Sequence, residues 1–413
     1  MHNMIQIPLD IPGVEVENTE ILDDGTIVIR VKSTVDGTCC SKCGKHISKP
    51  FGHAALRTLR HTSVFGCEVY VSFYPKRYEC THCQGTPTTV QKLSWCKPRS
   101  SYTIPFEQHV LLQLVNSTVK DVSIKENIGY DAVEEILDRY IDSKVNWDNI
   151  QSLHIIGVDE FSIKKGHKNY LTIISTRIDN KPVLIAILKG RKKDTVKKFF
   201  SSIPKRLRKT VRVVCCDMYD GYVNAAKEVF SSQVKVTADR FHVAKIYRGC
   251  VDNLRKKELK RLKKELTDDE YKKLKGAMWI IRKHPGDLDS EEKDKLELLF
   301  KYSPDLNLAY VLSNELTNIF NEDISRSEAK KKISGWKIKV NKSVLNCFDS
   351  FLYTLTNREK EILNYFDGRN TSGFVEGLNN KVKVIKRRCY GLLNPENWFQ
   401  RLSLDLTGYG LFA

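Results

Sequence analysis

The 413-residue chain has no run of about 18 consecutive apolar residues, which excludes a hydrophobic helix long enough to span a bilayer. Its first twelve residues carry no basic segment followed by an apolar one, so no secretory leader is expected. Low-complexity tracts and repeats at a fixed period are also missing, which argues against solenoid, collagenous and disordered architectures. Acidic residues are in deficit: 50 Asp and Glu face 68 Lys and Arg, leaving a formal charge of +18. So strong an excess fits a polyanionic partner, because cationic side chains that neutralise phosphates release condensed counterions. With no export signal, a reducing cytoplasm is the expected compartment, and the twelve cysteines should be thiols or metal ligands rather than a disulfide framework.

Seven of those cysteines lie in residues 1–98, among short alternating apolar segments such as Thr26 to Val31 and Cys67 to Phe73, the pattern of a small β-rich module. Cys40-Ser-Lys-Cys43 and Cys80-Thr-His-Cys83 form two Cys-x-x-Cys pairs. Four thiolates satisfy tetrahedral Zn²⁺ and close it to chemistry, so a structural zinc site in a ribbon-like fold is expected. The interval between the pairs is longer than usual, but its strand-like sequence suits a hairpin. Cys39 competes with Cys40 for the first position and His82 with Cys83 for the last, whereas Cys67 and Cys96 read as bystanders. Residues 99–150 read as a helical, helix-turn-helix-like domain. Ser117 is the expected cap of a short helix, Asn127-Ile-Gly129 the turn, and Tyr130 to Ile141 the second helix. That second helix is poorly suited to a phosphate surface, since Asp131, Glu134, Glu135 and Asp138 face a single Arg139.

From Leu153 the pattern changes. Segments His154–Asp159, Tyr170–Ser175 and Pro182–Leu188, with turns at Lys165-Gly166 and Asp179-Asn-Lys181, predict an antiparallel meander. A helix from Lys193 to Ile203, a strand Val211–Cys216, a helix Gly221–Phe230 and a strand Gln233–Ala238 follow. Residues 243–369 carry almost no strand signal and read as a helical insertion, opened by a Lys-, Arg- and Glu-rich run from Lys245 to Lys275. Electrostatically that run is a better polyanion surface than the acidic helix, although a solvated or coiled-coil helix fits it equally. Residues 370–413 open a helix at Ser372 or Gly373 and another at Asn394-Pro395, and are expected to complete the core of residues 151–242.

Three carboxylates stand out by their order along this layout. Asp159 closes the first strand, Asp217 closes the fourth, and Glu376 sits near the start of a late helix. Along that helix Val375, Leu378, Val382 and Ile385 form an apolar stripe. A meander with Asp on its first strand, a fourth strand ending in Asp and a late helix carrying Glu is the layout of a ribonuclease-H-like α/β core, in which strands one and four are neighbours. Such carboxylates hold a pair of hard divalent ions, Mg²⁺ or Mn²⁺, against a phosphodiester. Glu160 should face the other side of the sheet by period-two alternation. Asp220 and Asp239 remain rivals for the second position, Asp239 being the stronger, with His242 as an outer or DNA-contacting neighbour. Lys381, Lys383, Lys386, Arg387 and Arg388 add a basic flank to the late helix.

The segments Gly157–Gly166, Cys216–Tyr222, Ala238–Val243 and Ser372–Lys383, continued through Arg388-Cys-Tyr-Gly391, together resemble the DDE transposases of bacterial insertion sequences in the ISL3 group. The likeness covers nearly the whole chain. It implies a triad of Asp159, Asp217 and Glu376 and a helical insertion before the last catalytic helix. It further implies metal-dependent cutting and joining at the terminal inverted repeats of an element, with double-stranded target DNA as second substrate. A homodimer or larger assembly in the bacterial nucleoid is expected, since two element ends must meet. A ribonuclease-H-like nuclease or resolvase without strand transfer, and a zinc-containing DNA-binding regulator without catalysis, are the alternative readings.

Overall fold

The computed structural model describes residues 7–162, 170–230, 232–370, 373–389, 392 and 394–413, with only the backbone of residues 373–376. The expected turn at Lys165-Gly166, the helix start at Ser372 and the motif residues Tyr390 and Gly391 lie outside the described residues. Two compact units are present, one of residues 1–142 with 400–413, the other of residues 143–399.

In the first unit, strands β1 (Val14–Ile21), β2 (Ile27–Ser33), β3 (Thr38–Cys39), β4 (His46–Ile47), β5 (Lys49–His53), β6 (Arg57–Val64), β7 (Cys67–Phe73), β8 (Lys76–Glu79) and β9 (Thr88–Val90) form three small sheets. A four-stranded sheet in the order β1-β2-β7-β6 buries Val31, Leu59, Val71 and Phe73 against Trp95. The ordered strands β5-β8-β9 and the pair β3-β4 carry the cysteine pairs on their turns. Helices α1 (Ile104–Leu114), α2 (Val119–Lys125) and α3 (Tyr130–Tyr140) follow. Thr118, rather than the expected Ser117, caps α2 by accepting the Asp121 N–H at 3.0 Å. Asn127 takes the positive φ of 52° that lets the chain reverse into α3. The three helices share a core of Phe106, Val110, Leu114, Val133 and Ile136, which Leu404 from the far end of the chain completes.

The second unit is built on five strands, β10 (Ile155–Ser162), β11 (Tyr170–Ile178), β12 (Lys181–Lys189), β13 (Val213–Cys216) and β14 (Lys235–Ala238), in the order β12-β11-β10-β13-β14. The first three are antiparallel, whereas β10, β13 and β14 run parallel. Parallel neighbours need a crossover, supplied by α4 (Lys193–Ser202) with α5 (Lys205–Arg208) and by α6 (Asp220–Val229). Ile156, Val158, Val214 and Val236 pack with Val196, Phe200, Tyr222 and Val223 of those helices on one face. A late helix packs on β10 and β12. Between lie α7 (Arg240–Glu265), α8 (Asp268–Lys273), α9 (Ala277–Ile280), α10 (Ser290–Tyr302), α11 (Pro304–Asn321), α12 (Arg326–Lys342), α13 (Asp349–Asn357) and α14 (Glu359–Leu363), before α15 (Gly373–Arg388) and α16 (Pro395–Phe412).

The helical stretch has its own core around Tyr247, Leu316, Phe320, Trp336 and Phe351. The expected single run from Lys245 to Lys275 is instead two helices, separated where Thr267 and Glu270 form a capping box that starts α8. The stretch 370–413 also divides. Asn394 accepts the Glu396 N–H at 3.0 Å to open α16, yet from Gln400 onward that helix belongs to the first unit. Arg401 donates to the carbonyls of Leu114 and Ser117, and Gln400 to that of Ile141.

Candidate functional site

Asp159 was expected to end its strand. It lies within β10, which continues to Ser162 because β11 pairs with it that far, while the parallel partner β13 stops at Cys216 opposite Val158. The next positions on the two strands, Asp159 and Asp217, therefore stand side by side where the parallel ladder gives out. The same register continues across Cys216 and Ala238, so Asp239 takes the third place in the row.

The three acids have different partners. Asp159 accepts the Glu160 N–H at 2.7 Å with one oxygen and the side-chain amide of Asn379 with the other. Asp217 accepts the Tyr219 N–H at 2.9 Å. Burial holds its carboxyl above the usual range, and the charges of Glu160 and Asp159 add to the rise. Asp239 is buried and fully employed as the cap of α7, where its Oδ1 accepts the Phe241 N–H, while Oδ2 accepts from His242 Nδ1 at 2.8 Å. That hydrogen bond raises the His242 imidazole above its ordinary value, helped by the charges of Asp239, Asp159 and Asp217. Glu160 points away from Asp159, toward Arg191 at 3.0 Å and the Tyr222 hydroxyl at 3.3 Å. The remaining rival, Asp220, is exposed in an ion pair with Arg358.

Leu378, Val382 and Ile385 bury the inner stripe of α15, and the helix packs on β10 and β12. The side chains of Val375 and Glu376 lie outside the described residues. By helical register position 376 is one turn before Asn379, the residue that reaches Asp159. Asn379 is the residue that the sequence reading passed over. Its signal was available, since it stands at i+3 from Glu376 on the side facing the sheet. Of the basic flank, Lys383 and Arg387 are exposed, and Lys386 donates to the Ser162 carbonyl. Lys381 and Arg388 are half-buried.

In the first unit Cys40, Cys43, Cys80 and Cys83 converge, their sulfurs all within 4.8 Å of one another. Among the described residues it is the one group of three or more such donors placed that closely. Cys40 and Cys83 sulfurs are 4.0 Å apart, Cys43 and Cys80 3.7 Å. A tetrahedron of sulfurs 2.3 Å from zinc has edges of about 3.8 Å, so these thiols match a zinc cage. Gly44 at φ 72° closes the first turn, donating its N–H to the Cys40 carbonyl at 3.0 Å. The backbone N–H groups of Cys43 and Lys42 hold the Cys40 thiol down to about 6, whereas contact with the Cys43 sulfur pushes Cys83 up to about 12. Without a cation one thiolate suppresses its neighbours. Cys39 is exposed on β3, Cys67 is half-buried and Cys96 buried, and all three lie outside the cluster.

The charge of the helix-turn-helix is arranged in a specific way. Arg139, the one basic residue of α3, turns inward to Glu107, whose carboxylate is fully buried and also accepts from Ser100 and the Tyr140 hydroxyl at 2.8 and 2.7 Å. The acids of α3 are thus not offset by a cation from the same helix.

A family model described as "Transposase" matches residues 156–402, over half of the chain, and one described as "Helix-turn-helix domain of transposase family ISL3" matches residues 91–141. The chain belongs to the ISL3 family of transposases. It is 25% identical over 399 residues to the "Transposase for insertion sequence element IS1001" of Bordetella parapertussis, covering 96% of each chain. It is 23% identical over 421 residues to the "Transposase for insertion sequence element IS1557" of Mycobacterium tuberculosis (strain ATCC 25618 / H37Rv), covering 97% of this chain and 93% of that one. In this ISL3 transposase no helix among the described residues is long and apolar enough to cross a membrane.

Proposed function

We propose that this transposase cuts and rejoins DNA through a DDE triad of Asp159, Asp217 and Glu376 on a ribonuclease-H-like core. The observation that carries the reading is the register: two acids 58 positions apart become neighbours where β10 and β13 end their parallel pairing. Sheet order β12-β11-β10-β13-β14 supports the core assignment, since its meander-plus-two-parallel-strands pattern is that of ribonuclease H. The donor set supports divalent metal: hard carboxylates, with Asp217 pushed up by burial and like charge that a cation would relieve. Two Mg²⁺ or Mn²⁺ ions, when bound, activate the attacking oxygen and neutralise the leaving oxygen in an in-line displacement.

The protein's own groups prepare that site. Asn379 and the Glu160 N–H fix Asp159 from two sides, leaving its remaining lone pairs aimed by geometry rather than by torsional chance. Asp239 orients the His242 ring, placing an imidazole beside the acids as a contact for a DNA phosphate. Lys383 and Arg387 add exposed charge on α15. The four cysteines hold a structural Zn²⁺ that folds the front sheets. The partners are the terminal inverted repeats, target DNA and a second copy of the chain.

The test incubates full-length protein with a labelled DNA end of its own element and a target plasmid, with Mg²⁺, Mn²⁺ or EDTA. Metal-dependent nicking followed by joining is expected, with Asp159→Asn and Glu376→Gln losing roughly 10³-fold or more of the rate while end binding persists. Cutting without joining makes the protein a nuclease, binding without cutting makes it a regulator, and normal cutting by both variants removes the triad.

A further inference from the structure

Helix α7 begins at the candidate site, capped by Asp239, and extends away from it for 26 residues. Its inner side is set by Val243, Tyr247, Cys250, Val251 and Leu262, all buried. Turned outward along one stripe are Phe241, Lys245, Arg248, Lys256, Lys260 and Lys263, within about 60° of a common direction at 100° per residue. Asp252 is the single acid on this stripe, and Arg255, Lys256 and Arg282 already neutralise it. Lys245, Arg248, Lys260 and Lys263 have no hydrogen bond or ion pair among the described residues. On α12, by contrast, Lys330, Lys332 and Lys339 face Glu359, Glu322 and Glu315. A file of unmatched like charges repels itself and gives folding nothing, so its physical sense lies in a polyanion laid along it.

The geometry fits such a ligand. From His242, Lys245 is about 4.5 Å along the axis, Arg248 about 9 Å and Lys263 about 32 Å. That length spans about nine base pairs at 3.4 Å each. Phe241, 54% exposed, stands between the acids and the first cation. We propose that this face of α7 is a phosphate-binding track for the double-stranded DNA flanking the scissile phosphate. The proposal rests on the strand-cleaving reading of the Asp159 and Asp217 site. It assigns backbone holding near the chemistry to the helical insertion, not to the acidic helix α3.

The experiment measures binding of full-length protein to two fluorescent 40-bp duplexes, one bearing the element end and one of random sequence, between 50 and 300 mM KCl. For the K245A/R248A variant, affinity should fall equally on both duplexes, and the slope of log K against log salt should shrink by about 1.8, near 0.9 per lost phosphate contact. A K331A/K342A variant removes the same charge from α12 and should keep the parental slope. All four side chains are exposed, so melting temperatures should match the parent. An unchanged slope in K245A/R248A, or an equal loss in K331A/K342A, overturns the track. If those results come from protein whose parent still cuts in Mg²⁺, the cleavage reading survives. A parent that neither binds nor cuts removes both.

Discussion

The two clusters of like groups in this protein are assembled in opposite ways. The four thiols of the first unit sit on two short turns, each closed within a few residues by its own backbone, and their sulfurs already occupy the corners of a metal cage. The acids of the second unit arrive from separate strands, and Asp217 is held in a state that its burial and its neighbours oppose. The thiol site is local, closed and suited to holding structure together. The acid site joins residues distant in sequence and is strained by charge.

Removing sulfur should have the largest effect. Cys40→Ser with Cys43→Ser should release one equivalent of zinc by mass spectrometry and lose the near-ultraviolet dichroism of the front sheets, because so small a core depends on its metal. Unchanged zinc content would break the comparison. Next, Asn379→Ala should weaken metal activation of cutting by roughly 10–100-fold, the range for losing a partner that orients a ligand, with Asn379→Gln recovering part of it. An unaltered Mn²⁺ half-saturation would show that Asp159 needs no such hold.

A contrast in sign follows. Asp217→Asn should raise the melting temperature of metal-free protein by several degrees, whereas Cys40→Ser with Cys43→Ser should lower that of the zinc-loaded protein. Burial raises the folded-state pKa of Asp217, so the penalty is absent below the unfolded value of 3.8, grows as pH climbs through the raised pKa and is fully present at neutrality. Scanning calorimetry in EDTA at pH 7 decides it; a lower melting temperature would contradict the strain.

The smallest effect concerns His61, buried in the first unit between Thr103 and the Leu9 carbonyl, its pKa depressed chiefly by desolvation. A histidine lowered in the fold takes up protons on unfolding, so this stabilisation is complete above the unfolded value of 6.5 and fades as pH falls below it. His61→Gln should flatten that part of the pH–stability curve between pH 7 and 5. An identical curve would show that His61 contributes nothing to the acid response.

Much of this was legible in the sequence for a physical reason. Strand alternation, the two Cys-x-x-Cys pairs and the apolar stripe of α15 are local patterns, and local patterns survive in one dimension. The choice of Cys40 over Cys39 was not, because it depends on which residue leaves β3 at the turn. The cap that Asp239 gives α7 and its bond to His242 were not legible either, because they depend on where β14 ends beside β13. Arg139 looked like the one cation available to DNA on α3, and only the buried Glu107 explains why it turns inward. Asn379 could be suspected from its place one turn after Glu376, but which carboxylate it reaches shows only in the fold.

Residues of α16 set the order in which the front helices can settle. Arg401 ties the carbonyls of Leu114 and Ser117 across 287 and 284 positions, and Asp405 takes the Asn116 N–H. At 5–20 residues per second, a ribosome reaches Arg401 roughly 15–60 s after Leu114. During that interval the trio α1–α3 lacks Leu404 from its core, so a nascent chain carries an unfinished helix-turn-helix. Settling of this region thus waits for Arg401 and Leu404 rather than for the emergence of the segment itself.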